Sequence, residues 1–143
     1  MNQQNTLSNE LARLPIAKMQ DVLLARFIGR EEATKMGFPP AILTRLATAI
    51  SEITRNVVQH AGCAGEIQIG RVTEGDRHGL RIIVSDQGKG IEQLERVQTE
   101  GKAGMLGSGL PGARSLVDHF SIQSAPGAGT TVTMEFWQPG GAT

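Results

Sequence analysis

Three stretches of this sequence carry residue types that do chemistry, at spacings that aim them together. Glu52 and Asn56 lie four apart inside an apolar-periodic segment, so on a helix they stand on neighbouring turns of one face. An amide oxygen placed so can serve as a hard ligand to Mg2+, and the carboxylate can orient or deprotonate a nucleophile. An ordinary solvated helix face explains the same pair. The second stretch, Asp86-Gln-Gly-Lys-Gly90, sets an acid at the end of an apolar run and follows it with Gly88 and Gly90. The glycines let the backbone approach a flat ligand while the carboxylate accepts a hydrogen bond from an exocyclic amine such as adenine N6. A plain Asp-Gly turn is the competing account. In the third, Met105-Leu-Gly-Ser-Gly-Leu-Pro-Gly112, Gly107, Gly109 and Gly112 meet Leu110 and Pro111 just before the amphipathic run Ala113 to Phe120. A glycine loop feeding a helix turns N–H donors toward one anion, usually phosphate, although a glycine-rich surface loop with a proline helix start reads the same way. Upstream, Lys102 could reach a terminal phosphate or simply be solvated.

The elements that must hold these groups follow from periodicity. A short extended piece near Leu14–Ala17 leads into a first helix, Asp21 to Met36, where Val22, Phe27 or Leu23, Ile28 and Ala33 recur at helical spacing and Gly37 supplies a stop. The clearest helix is Ala41 to Ala61, with Leu43, Leu46, Ile50, Ile53 and Val57 on one stripe and Gly62 at its end. Arg55 and His60 share the flank of Glu52. No second His or Cys has ligand spacing, so His60 reads as a helix-end residue. Glu66–Val72 and Leu80–Ser85 read as a hairpin joined by Thr73–Gly79. Ile91 to Gln98 is at best a short helix, and residues 99–105 are loose enough for a lid. After a helix ending near Phe120, strands Ser121–Ser124 and Thr130–Trp137 form a second hairpin, with Val132, Met134 and Phe136 on one face. The expected architecture is one α/β (α+β) two-layer sandwich over residues 13–137, helices on one face of a mostly antiparallel mixed sheet, with tails at 1–12 and 138–143.

Composition narrows the partners. Fourteen Lys plus Arg balance fourteen Asp plus Glu, and aromatic residues make up only 3%, so neither a steering field nor a stacking platform points to nucleic acid. No apolar run reaches spanning length, and the polar start Met-Asn-Gln-Gln-Asn is unlike a signal peptide. The single Cys63, in a Gly-Cys-Ala-Gly turn, fits a reducing compartment. Cytoplasmic residence, no membrane and a protein or small-molecule partner are expected.

The order of Glu52-x-x-x-Asn56, Asp86-x-Gly88-x-Gly90, Gly107-x-Gly109 with Gly112, and Gly129-Thr130 resembles that of the ATP-site motifs of the Bergerat-fold (GHKL) ATPases. The likeness runs from about Arg13 to Trp137. Within that superfamily Ile50-Ser-Glu-Ile-Thr-Arg-Asn56, Gly107 to Arg114 and Arg26-Phe-Ile-Gly-Arg30 look most like RsbT-type switch serine kinases, in the wider group of anti-sigma-factor kinases. The resemblance implies a Bergerat ATP-binding fold, ATP and Mg2+ as cofactors, and these roles. Asp86, helped by Thr130, would recognise the adenine amine, with Gly88 and Gly90 making room for the base. Asn56 would hold Mg2+ and Glu52 would be the general base. Gly107, Gly109, Leu110 and Gly112 would line the phosphates under the lid, with Lys102 as a further contact. It also implies a serine/threonine protein kinase acting on a small STAS-domain antagonist, with a sigma factor or a phosphatase as second partner. An ATP-binding regulatory module and a simple ATP hydrolase are the alternatives. Neither a Walker A lysine nor a His-Arg-Asp loop occurs, and there is no phosphoacceptor histidine box. The oligomeric state is left open.

Overall fold

The computed structural model describes residues 9–88 and 109–139. The expected segment Ile91 to Gln98, the lid at 99–105, and Gly90, Lys102 and Gly107 lie outside them.

In chain order the elements are β1 (Glu10–Ile16), α1 (Met19–Lys35), α2 (Pro40–Asn56), a π-helical turn (Val57–Ala61), β2 (Gly65–Glu74), β3 (Arg77–Asp86), α3 (Gly109–Arg114), β4 (His119–Ser124) and β5 (Thr130–Trp137). Five strands form one sheet in the order β1-β2-β3-β5-β4, and all four pairings are antiparallel, so the described strands show no parallel component. Strand residues alternate between two faces. One face carries Ile16, Ile67, Ile69, Leu80, Ile82, Val84, Val132, Met134 and Phe136, all buried in one core with Leu46, Ile50 and Ile53 of α2. The other face is laced by ion pairs, Arg13 to Glu66 at 3.1 Å and Arg81 to Glu135 at 2.8 Å.

The α2 stripe is buried as its spacing predicts, Leu43, Leu46, Ile50, Ile53 and Val57 included. Pro40 starts α2 where a missing N–H costs nothing, and Gly62, at φ +81°, ends the π turn in the left-handed region. The inward face of α1 differs from the expected one. Leu23 (62% exposed) and Phe27 (59% exposed) face outward, while Val22, Ala25, Gly29 and Ala33 face the core. The reason is close packing: a Cβ on Gly29 would strike Ile50 Cδ1, so α1 approaches α2 on its small residues. The Asp21 carboxylate caps this helix, accepting the backbone N–H of Ala17 (2.8 Å) and of Lys18 (3.1 Å).

At both margins of the described residues the chain is tied further than expected. Glu10–Ala12, placed in the tail by composition, belong to β1. Gln138 donates its amide to the Met36 carbonyl, and its backbone N–H to His78 at 3.0 Å. The expected helix from Ala113 to Phe120 is also displaced. Helix α3 already runs from Gly109, so Gly109, Leu110 and Gly112 lie in its first turns and not in a preceding loop. It stops at Arg114 because strand pairing captures the next stretch of chain: Asp118 N–H donates to the Glu135 carbonyl (3.0 Å) and its carboxylate accepts from Trp137 N–H (2.7 Å). Among the described residues no helix is long and apolar enough to cross a membrane.

Candidate active site

One cross-strand row organises the site. Ile16 of β1, Gly65 of β2, Asp86 of β3, Thr130 of β5 and Ser124 of β4 stand opposite one another across the whole sheet. Directly opposed residues of an antiparallel pair point to the same face, so Asp86 and Thr130 lie side by side on the helix-covered face, at its end. Asp86 is 9% exposed, and a buried carboxylate is costly unless its lone pairs are used. Its Oδ1 accepts the Gly88 N–H at 2.8 Å. Its second oxygen has no hydrogen-bond partner among the described residues, which leaves one charged acceptor for a ligand.

Three missing side chains shape this corner. A Cβ on Gly88 would collide with the Ala61 carbonyl and stand 3.0 Å from Asp86 Oδ1. One on Gly129, at φ +81°, would collide with the Asp86 carbonyl, and one on Gly65 would lie 2.5 Å from Ser85 O and 2.9 Å from Val57 Cγ1. Gly88 is therefore glycine for a reason internal to the fold. The π turn carries Ala61 against it, and π turns insert one residue into a helix, commonly beside functional sites. By the same route Val57, next to Asn56, rests on Gly65 and hence beside Asp86.

Asn56 is the last residue of α2, and its Nδ2 is buried with no hydrogen-bond partner. An unspent buried donor costs about 1–3 kcal/mol, so this amide is suited to completion by a ligand. Glu52, one turn earlier and half-buried, has one carboxylate oxygen 3.3 Å from Arg55 Nη1. Helix α3 packs on α2 through Ala113, which is fully buried. Gly112 is exposed, and a Cβ there would meet nothing within 4 Å. Its carbonyl accepts from the Ser115 hydroxyl at 2.8 Å.

The sheet thus brings Asp86, Gly88 and Thr130 together, and the π turn that follows Asn56 packs against this corner through Val57 and Ala61. Two contributors escaped the sequence. Ser124 bonds the Thr130 hydroxyl at 2.8 Å and donates to the Gly129 carbonyl at 3.0 Å. Gly65 is recognisable only once its register opposite Asp86 is known. His60, half-buried in the π turn, fits the structural role expected of it. Among the described residues no three or more His, Cys, Asp or Glu cluster to hold a metal.

Residues 16–136 match the family described as "Histidine kinase-like ATPase domain". The chain is 39% identical over 131 residues to the serine/threonine-protein kinase RsbT of Bacillus subtilis (strain 168), covering 90% of this chain and 98% of that one. It is 28% identical over 129 residues to an anti-sigma F factor of Thermoanaerobacter sp. (strain X514), covering 83% of this chain and 87% of the other. A crystal structure of the RsbU and RsbW domains of a Mycobacterium tuberculosis protein superposes with a TM-score of 0.61 at 22% identity. That match covers 90% of this chain and 34% of the larger one, about a third of its length, and shows a shared fold. With residues 16–136 matched to that family and 98% of the Bacillus subtilis kinase covered at 39% identity, the chain belongs to the histidine kinase-like ATPase family, in its RsbT-type serine/threonine kinase group.

Proposed function

We propose that this protein transfers the γ-phosphoryl group of ATP to a serine or threonine hydroxyl of a small STAS-domain antagonist, within a cytoplasmic partner-switching pathway. The observation that carries the reading is the Asp86 corner: a buried carboxylate, oriented by Gly88 N–H, with one acceptor unspent beside the Thr130 hydroxyl. An exocyclic adenine amine supplies the donor that this corner lacks. The residues present also fit Mg2+, because the oxygen of the Asn56 amide, like its buried Nδ2, has no hydrogen-bond partner among the described residues, and a cation held by one side-chain oxygen plus phosphate oxygens needs no protein cage. When bound, Mg2+ would shield phosphate charge during transfer.

The chain's own residues do the rest. Asp86 and Thr130 fix the base, while Gly112 and the glycines preceding it, together with Lys102, lie on the stretch that would meet the phosphates. Glu52, oriented by Arg55, would take the proton of the acceptor hydroxyl as its oxygen bonds to phosphorus and the bond to the β–γ bridging oxygen breaks. The likeness to an anti-sigma F factor favours a second reading, an ATP-binding module that holds a sigma factor or a phosphatase, with catalysis secondary.

The test is phosphate transfer from labelled Mg-ATP into a native cell extract, comparing wild type with Glu52→Ala and Asp86→Ala. Label on one small protein that requires both residues supports the kinase reading and isolates its substrate. If ATP binds but no protein is labelled, the binding-module reading takes its place.

A further inference from the structure

The hydroxyls at the far end of the cross-strand row permit a proton count. Ser124 has a single hydroxyl proton, and Oγ donates it to the Gly129 carbonyl at 3.0 Å, a group that can only accept. The 2.8 Å contact between Ser124 Oγ and Thr130 Oγ1 then has one consistent direction, Thr130 donating and Ser124 accepting. With its proton spent, Thr130 Oγ1 presents lone pairs alone. It stands opposite Asp86 in the β3–β5 pair, on the same face as the carboxylate whose second oxygen is also an unspent acceptor.

We infer that Ser124 is a positioning residue for base selection: by accepting the Thr130 proton it makes both groups of the corner acceptors, so the site takes a 6-amino purine and rejects a 6-oxo purine. A 6-amino group brings two N–H donors, one for each acceptor. A 6-oxo group would face two acceptors with an acceptor of its own, and the neighbouring N1–H can meet only one of them, so a buried polar group is left unpaired, which is the strong form of molecular discrimination. The carboxylate alone disfavours the oxo base, but a freely turning threonine hydroxyl could donate to it and relieve part of the penalty. Ser124 removes that option. Gly129 belongs to the same device, since its left-handed φ of +81° holds its carbonyl where Ser124 reaches it. This inference rests on the assignment of the Asp86 corner to the purine base.

The test measures dissociation constants, on the full chain, for ATP and for inosine triphosphate, which has a 6-oxo group and an N1–H where ATP has a 6-amino group and a bare N1. Wild type, Ser124→Ala, Ser124→Thr, Thr130→Val, Asp86→Asn and the Ser124→Ala/Thr130→Val double variant are compared, with urea midpoints confirming folding. Ser124→Ala should shrink the preference for ATP about tenfold, the scale of one hydrogen bond gained or lost, mainly by tightening inosine triphosphate. Ser124→Thr, which keeps the hydroxyl, should restore it. The double variant should discriminate no worse than Thr130→Val alone, because the serine reaches the base through Thr130. If Ser124→Ala weakens both nucleotides equally, or leaves their ratio unchanged, the serine is merely structural and the inference is overturned. A wild type indifferent to the two nucleotides, or an Asp86→Asn variant with the wild-type ratio, instead removes the base assignment beneath it.

Discussion

Replacing Gly88 by alanine separates what the glycines do for the fold from what they do for a ligand. The added methyl group would collide with the Ala61 carbonyl, with the Ala61 carbonyl carbon at 2.9 Å and Asp86 Oδ1 at 3.0 Å. Two of these three atoms are backbone, held by the π turn, so no side-chain rotation relieves the contact. Overpacking of this kind costs about 1–3 kcal/mol. The outlet is movement of the π turn or of the carboxylate, and either strains the Gly88 N–H to Asp86 Oδ1 bond of 2.8 Å, a charge-assisted bond worth about 1.5–3 kcal/mol. Gly88→Ala should therefore lower unfolding free energy by about 1–3 kcal/mol and weaken ATP at least tenfold, since about 1.4 kcal/mol is a factor of ten. Gly112→Ala is the control. No atom lies within 4 Å of its new Cβ, so in helix α3 it should be neutral or stabilising by about 0.4–1 kcal/mol. Any loss of ATP affinity in that variant must then come from the nucleotide. Urea unfolding and calorimetric titration of ATP decide both. A Gly88→Ala protein with wild-type midpoint and affinity, or a Gly112→Ala protein that is clearly less stable, would refute this account of the glycines.

Three further outcomes are expected. Asp86→Asn keeps an oxygen for Gly88 N–H but turns the remaining acceptor into an amide donor, so ATP should bind about tenfold or more weakly, while the exchange of a charge-assisted bond for a neutral one lowers unfolding free energy by about 1–1.5 kcal/mol; calorimetric titration and urea unfolding of both proteins read this directly. Leu46→Ala removes a fully buried side chain from the centre of α2 and should cost about 2–5 kcal/mol in chemical denaturation. The N–H groups of Ala17 and then Lys18 hold the Asp21 carboxyl below its ordinary value of 3.8. A lowered folded pKa gives stability that is present above the unfolded value and lost as pH falls through the folded one. Asp21→Asn should accordingly show a smaller loss of stability than wild type between about pH 5 and pH 2 in acid titrations followed by circular dichroism.

The parts legible in the sequence are those written in one local period. The α2 stripe and the alternation of Val132, Met134 and Phe136 needed only neighbours three, four or two residues away, and both match the structure. Helix α1 was harder because it is apolar on two faces. Its larger side chains point outward, and the inward set was hidden among alanines and a glycine whose value lies in the approach of Ile50. The end of α3 depended on a competing partner, the Glu135 and Trp137 backbone, that no local pattern discloses. In the site, Glu52, Asn56, Asp86 and Thr130 were visible as motifs, whereas Gly65 and Ser124 acquire meaning only through cross-strand register. Register between distant strands has no signature in either one.

The row from Ile16 to Ser124 has a consequence for the life of the protein outside catalysis. Asp86 meets Thr130 only once β5 has paired with β3, so the Asp86 corner is closed by a non-local pairing, at an entropic cost. A ligand gripping both strands binds the completed sheet and not its precursors. Saturation to a hundred times its dissociation constant would add about 2.7 kcal/mol to the folded state. Proteases that capture the opened chain would then meet it about a hundred times less often. Were ATP that ligand, nucleotide saturation would slow the loss of this protein to proteolysis.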